Sequence, residues 1–348
     1  MIRCRVCHST KKDLKQIYIM SNEKLQSLFA YSYREKYSKG YFCKNCGSIS
    51  FSSNKINYGD GSFRRRGSVK TPPVELPWST ITYKRHIHIS RFIRKLHNQG
   101  SKYKFNNLLD FGGYNGFTAY GICQEFGIDF KNAFIADLDP NGLSIAQSLG
   151  FSTYDLRKKS LSEHLLKDNK DLSLITAVHV LEHLDDPSEF FSSVKEVSSS
   201  NTIVYVEIPS RFFFPLCDPA HLITFSRESM ISLALRFGFE LIYSNSIKTP
   251  SEAVRYNYPF SSNYESQAFV FKYNPQIKSQ KEFIPSTRAY SFVRFCIFSA
   301  ISNVSLRFII FINYSKIIYY FLIKLIKSIL MLILSPFSAL IYAVKSLL

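Results

Sequence analysis

No apolar run opens this chain: its first residues, MIRCRVCHST, carry nothing that reads as a secretory leader, and a reducing cytoplasm is the expected setting. The seven cysteines therefore read as thiols or metal ligands rather than bridges. No uncharged run reaches the twenty or so residues that a spanning helix wants. The longest, Ser328–Val344, has 17 residues and contains Pro336. Acidic residues are absent from 283 to 348, where 7 Lys/Arg stand alone, and sparse in 1 to 72, with 4 against 15 Lys/Arg. The net charge of +18 thus belongs to the two ends, while 73 to 282 is balanced. A nucleic-acid enzyme more often surrounds its catalytic domain with basic surface, so anionic partners are expected at the ends instead.

What the front end does hold is two Cys-x-x-Cys turns, CRVC (Cys4, Cys7) and CKNCG (Cys43, Cys46). Each turn aims two thiolates at one point, and two turns complete a tetrahedral site for Zn2+. Gly47 suits the tight knuckle after the second pair, and His8 stands where it could replace one thiolate. The alternative is two unrelated pairs of reduced cysteines. Cys123, Cys217 and Cys296 are isolated and read as packing residues. Residues 1–52 are expected to form a small zinc-binding ribbon. Residues 53–77, rich in Gly, Pro and Ser, read as a basic linker, in which Arg64, Arg65 and Arg66 either grip a phosphate or form a solvated loop.

From residue 78 the pattern alternates. YKRHIHISRFIRKL has helical spacing; NNLLDFGGYNG is a short apolar strand running into a glycine-rich turn; NAFIADLDP, LSLITAV and TIVYVEIPS are further strands, with helical segments between them. Such alternation predicts a parallel sheet covered by helices on both faces, with ligands at the carboxyl ends of the strands. Gly112, Gly113 and Gly116 allow a sharp turn and close backbone approach to a ligand. Asp137, ending the next strand, is placed to accept hydrogen bonds from a ribose.

The ordered words LLDFGGYNGF, IADLDP, ITAVHVLEHLDDP, VYVEIPS and AHLITFSRESMISLALRFGFE resemble class I S-adenosylmethionine-dependent methyltransferases over roughly residues 78–275. With a four-cysteine module in front, the chain looks similar to the zinc-containing sugar C-methyltransferases, which act on nucleotide-linked deoxysugars, and to their relatives in surface-polysaccharide clusters. The resemblance implies a Rossmann-like seven-stranded, mostly parallel sheet. It also implies that Asp110, Gly112, Gly113 and Gly116 shape the loop around the methionine part of S-adenosyl-L-methionine. Asp137 then binds the ribose, and His179 lies beside the donor sulfur. Asp155 either meets the adenine amine or caps a helix. Two departures stand out: Tyr114 replaces the usual middle glycine, and Ala220-His221 with Thr224 replaces the Glu-His pair and downstream aromatic of the sugar enzymes.

HVLEH, from His179 to His183, also spells the inverted zinc-peptidase signature. That reading needs both histidines mid-helix and a third ligand from a later helix. Here His179 follows SLITAV, so a strand end is expected, with Glu182 and His183 on the turn above the transferred methyl group. His221 is the expected general base, since a neutral imidazole works near pH 7; the alternative is a histidine bonded to its own loop. The turn after this strand lacks the Asn/Asp-Pro-Pro-aromatic arrangement that lines a flipped base in nucleic-acid amino-methyltransferases.

Residues 283–348 form an apolar tail in which Lys316, Lys324 and Lys327 fall within about 80 degrees on a helical wheel. A helix lying in the headgroup region of an anionic leaflet is expected, the alternatives being a tail packed on the core or a re-entrant hairpin at Pro336. The sequence thus predicts a cytoplasmic methyltransferase, peripheral on the inner membrane face. Its expected cofactors are S-adenosyl-L-methionine and Zn2+, and its acceptor a small molecule or glycan precursor. An RNA methyltransferase and a non-catalytic scaffold are the alternatives.

Overall fold

The computed structural model describes residues 3–20, 37–51, 81–97, 103–168, 172–209, 221–248 and 265–277. The chain divides into two compact units, 1–288 and 289–348, the second lying wholly outside the described residues. The linker arginines, Ala220 and the apolar tail are likewise outside them. Among the described residues no helix is long and apolar enough to cross a membrane.

In chain order the strands are β1 (Leu14–Met20), β2 (Tyr37–Cys43), β3 (Ile49–Phe51), β4 (Leu108–Phe111), β5 (Ala133–Asp137), β6 (Ser152–Asp155), β7 (Leu172–Val178), β8 (Ser198–Pro209), β9 (Ile223–Thr224), β10 (Phe239–Lys248) and β11 (Glu265–Tyr273). The helices are α1 (Ile81–His97), α2 (Phe117–Phe126), α3 (Pro140–Ser148), α4 (Leu161–Asp168), α5 (Ser188–Lys195) and α6 (Arg227–Arg236). Seven strands form one sheet in the order β10-β11-β8-β7-β4-β5-β6. β6, β5, β4, β7 and β8 run parallel, and β11 and β10 add an antiparallel edge.

The period of two explains why these segments are strands covered on both sides. Leu108, Ile135, Leu174, Ile203 and Tyr205 enter one core layer; their neighbours Leu109, Phe134, Ile175 and Val204 enter the other. The first layer is closed by Ile89 and Ile93 of α1, Ile122 of α2 and Leu143 of α3. The second is closed by Leu165 of α4, Phe190 and Phe191 of α5 and Leu233 of α6. Full burial of a phenylalanine or leucine side chain contributes roughly 1.5–3 kcal/mol, so these layers dominate stability. Helix starts carry their own signals. Asp139 accepts from the amides of Asn141 and Gly142 ahead of Pro140 at the first turn of α3, and Ser226 forms a capping box with Ser229 on α6.

A second sheet, β1-β2-β3-β9, was not foreshadowed in its membership. Its first three strands frame the cysteines, but its fourth comes from the chain after β8, pairing Ile49 with Thr224 and Ser50 with Ile223. Cys4, Cys43 and Cys46 are buried in the same core layer as α5 and α6. The cysteine segment, read from sequence as a separate ribbon, therefore shares a sheet and a core with the rest of its unit.

Candidate active site

The site assembles at the carboxyl ends of β4, β5 and β7. β4 delivers Asp110 and then a turn that no ordinary residue would adopt cheaply: Gly112 and Gly116 have φ of 72° and 73°. A Cβ on Gly112 would lie 2.6 Å from Val180 Cγ2, so the turn after β7 sits directly on the glycine turn. Gly113 is held against Asp110, where a Cβ would come within 2.6 Å of Oδ2. Tyr114, in the family's glycine position, takes φ of 48°, and its ring lies over the backbone of Gly142, where a Cβ would be 2.3 Å away. A glycine on α3 thus makes room for the departure on the loop.

Asp137 closes β5 and binds the loop to it. Its Oδ2 accepts from the Tyr114 amide and its Oδ1 from the Asp139 amide, both at 2.8 Å. A carboxylate oxygen has two lone pairs, so accepting a backbone amide does not by itself bar a ribose hydroxyl. Glycine turn and acid are therefore neighbours, as a nucleoside site requires. Asp110 is 2 % exposed; its Oδ1 accepts from the Thr176 hydroxyl at 2.7 Å, and its Oδ2 has no hydrogen-bond partner among the described residues. Burial pushes its pKa up to about 7, with Asp137 adding to the rise against the Thr176 hydrogen bond. Such a carboxyl fits the cationic ammonium end of an amino-acid ligand.

Asp155 at the end of β6 is engaged by Arg157, whose Nε and Nη2 donate to its two oxygens at 2.9 and 2.6 Å. That pairing brings its pKa down to about 2. It does not cap α4, whose start is capped by Ser160 and Glu163. Contact with an adenine would require Arg157 to share it.

The turn after β7 is where the sequence posed two readings. His179 has φ of 53° and Leu181–His183 form a 3-10 turn, so the two histidines do not stack along a helix as a peptidase needs. The His179 imidazole points into the protein. Its Nε2 is 3.0 Å from both Glu207 Oε1 and Ser266 Oγ, and its Nδ1 is 3.3 Å from Glu182 Oε1. Burial alone would lower its pKa, but Glu182 and Glu207 outweigh it and raise it above the ordinary imidazole value. Glu182 is 1 % exposed, and burial would raise its pKa; His179, His183 and His221 instead bring it down to about 2. His183 and His221, 20 % and 14 % exposed, place Nε2 at 3.9 and 4.0 Å from Glu182 Oε1. The expected catalytic trio, Glu182, His183 and His221, is therefore one cluster, while His179 lies behind it.

Glu207 was missed. It is buried on β8 and joins His179 to the fully buried Tyr205, whose hydroxyl donates to Oε2 at 3.1 Å. The signal was present: a carboxylate inside TIVYVEIP, a strand with both faces covered, requires a buried partner.

The four cysteines also converge. Their sulfurs lie within 4.8 Å of one another, with Cys4–Cys46 at 3.6 Å and Cys7–Cys43 at 3.5 Å. Tetrahedral Zn–S bonds of about 2.3 Å put sulfurs roughly 3.8 Å apart, so the donor set fits Zn2+. The two knuckles match: the His8 amide donates to the Cys4 carbonyl and the Gly47 amide to the Cys43 carbonyl, at 2.9 Å each, with φ of 59° and 72°. His8 thus does Gly47's conformational work; its ring meets Asp186 rather than the sulfurs.

This unit reaches the turn after β7. The Ser226 hydroxyl donates to the Cys46 carbonyl at 2.9 Å, the Phe51 amide to Leu222 at 2.9 Å, and the Leu222 amide to the Glu182 carbonyl at 2.8 Å. Arg5 pairs with Asp185.

Residues 83–244 match the family model described as a methyltransferase domain. Among curated proteins none matches significantly. Solved structures similar to the chain include an S-adenosylmethionine-dependent methyltransferase from Anabaena variabilis, with 16% identity, TM-score 0.45, and 64% of this chain and 98% of that one covered. Magnesium protoporphyrin IX methyltransferase from Synechocystis PCC 6803 is similar at 11% identity and TM-score 0.42, over 64% and 100% of the two chains. An Archaeoglobus fulgidus methyltransferase follows at 16% and TM-score 0.37, over 54% and 94%. The matched segment begins in α1 and ends in β10, and so takes in every parallel strand that meets the glycine turn. Residues 83–244 thus carry the match to a methyltransferase domain, on a fold that brings the glycine turn and Asp137 together.

Proposed function

We propose that the enzyme methylates a nucleotide-linked sugar or a glycan or lipid-linked glycan precursor in surface-polysaccharide biosynthesis. The observation that supports this reading is the seam between the cysteine unit and the Glu182 turn: Phe51 to Leu222 to Glu182 is a continuous run of backbone hydrogen bonds. A module so joined belongs to the acceptor's surroundings, as the likeness to zinc-containing sugar C-methyltransferases implies. The basic charge of residues 1 to 72 suits an acceptor bearing a diphosphate.

S-adenosylmethionine, when bound, supplies a methyl group already activated by its sulfonium charge. The chain's part is alignment, which is worth several powers of ten when reacting atoms are held in line. The glycine turn would admit the methionine portion, with Asp110 facing its ammonium, and Asp137 would accept the ribose hydroxyls. His179, held between Glu182 and Glu207, fixes the turn after β7 without needing to touch a ligand. An acceptor carbon, oxygen or nitrogen must also lose a proton, and Glu182, His183 and His221 are the groups at hand to promote that loss. Cys4, Cys7, Cys43 and Cys46 would hold Zn2+ in a structural role. The tail from 283 would rest on the anionic inner leaflet.

Incubation of the purified enzyme with methyl-labelled S-adenosylmethionine and separate nucleotide-sugar, glycolipid and RNA fractions tests this. Label is expected in the nucleotide-sugar or glycolipid fraction. Label confined to RNA, or none in any fraction, overturns the sugar reading.

A further inference from the structure

Glu182 presents an anomaly: among the described residues its buried carboxylate, 1 % exposed, has the ion pair with His179 but no hydrogen bond of good geometry on either oxygen. Buried carboxylates are ordinarily bonded to donors or to a metal ion. His179 pairs with Oε1 from behind at 3.3 Å, and on the accessible side the groups around this carboxylate are imidazoles that stop short. His183 and His221 lie 3.9 and 4.0 Å away, too far for hydrogen bonds, and their rings meet edge to face at 4.9 Å between centroids.

We propose that Glu182, His183 and His221 bind a divalent first-row metal ion, distinct from any ion held by the cysteines, with open positions that take oxygen atoms of the acceptor. One carboxylate oxygen and two imidazole nitrogens lie within 4.8 Å of one another. A point equidistant from them is at most about 2.8 Å from each, against roughly 2.0–2.2 Å in zinc sites, so a contraction of a little over half an ångström completes the coordination. Two imidazoles and a carboxylate on one side of an ion leave the opposite positions vacant, the arrangement that lets a metal bind and polarise a substrate oxygen. His179 supplies what such sites need behind their ligands: its Nδ1, 3.3 Å from Glu182 Oε1, keeps the carboxylate in place. The accessible side is that of His183 and His221, with Glu182 at the back. The position is also apt, since Val180, two residues before Glu182, packs on Gly112 of the glycine turn.

The metal site stands on geometry alone; its use of acceptor oxygens rests on the function proposed above. The test uses the full-length, zinc-replete enzyme and Mn2+, whose preference for oxygen ligands over thiolate keeps it away from the four cysteines. Electron paramagnetic resonance during titration is expected to show one Mn2+ bound per chain. Glu182→Gln and His221→Gln should each weaken binding tenfold or more, while Asp137→Ala leaves it unchanged. Far-UV circular dichroism and thermal unfolding of the same preparations show that each variant is folded. No Mn2+ bound by a parent enzyme that binds S-adenosylhomocysteine overturns the metal site and leaves the methyltransferase reading standing. So does equal Mn2+ affinity in both Glu182 and His221 variants. Mn2+ bound as expected, but with no competition or linewidth change from any nucleotide sugar or glycolipid, retains the ion and removes its role toward the acceptor.

Discussion

Asp110 holds its proton at a pH where ordinary carboxyls have lost theirs, and the sign of that shift has consequences. With a folded pKa of about 7, its contribution to stability is fully present below the ordinary carboxyl pKa of about 4 and is lost as pH rises through 7. Asp110→Asn removes this term. The melting temperature of the variant relative to the parent should therefore climb between pH 5 and 8; a constant offset would show that Asp110 is not the group titrating. A cofactor ammonium arriving at the turn favours the carboxylate, so binding at pH 6 should release up to one proton, read by calorimetry in buffers of different ionisation heat. Asp137→Ala should weaken cofactor binding by tenfold or more with zinc content intact, since it loses both the loop anchor and the ribose acceptor. Equal affinity in variant and parent would remove Asp137 from the nucleoside site. These residues were legible because a glycine turn and a strand-terminal acid carry their geometry in their identities. Glu207 and the inward turn of His179 were not, because which buried groups meet depends on the pairing of β7 with β8.

At the scale of elements, the parallel strands announced themselves through apolar runs longer than any amphipathic pattern allows. β9 did not: two residues, Ile223 and Thr224, become a strand only because β3 lies beside them. Tyr114 and Gly142 are a similar long-range agreement. Gly142→Ala would put a methyl 2.3 Å from the Tyr114 ring and displace the loop whose amide binds Asp137, so cofactor affinity should fall several-fold. Tyr114→Gly in the same chain should restore it; failure to do so would locate the damage in α3 instead. The seam makes a further prediction. Removing the Zn2+ proposed for the four cysteines by chelation, or replacing Cys43 by serine, should accelerate amide exchange at Leu222 well before β4 and β7 open, because the Leu222 amide depends on the turn of Glu182 and its carbonyl on Phe51. Unchanged exchange at Leu222 would uncouple the cysteines from the active site.

Across the whole molecule, charge is segregated rather than mixed, with a balanced middle and cationic ends. Removing 289–348, the second compact unit, should cut binding to anionic vesicles by about tenfold or more, since each basic residue near such a surface contributes about 1 kcal/mol. Unaltered sedimentation with vesicles would argue against the tail as anchor. The first unit carries a different dependence. Were the chain started at Ile81 to isolate the matched domain, Ile223, Phe225 and Met230, all 2 % exposed or less, would lose the cover of Cys4, Val6 and Cys46, and β9 would become an unpaired edge. The segment that matches the methyltransferase model is thus not portable: trimmed to those bounds, it would have an adhesive flank and would lose the strand that holds Leu222 beside the turn of Glu182.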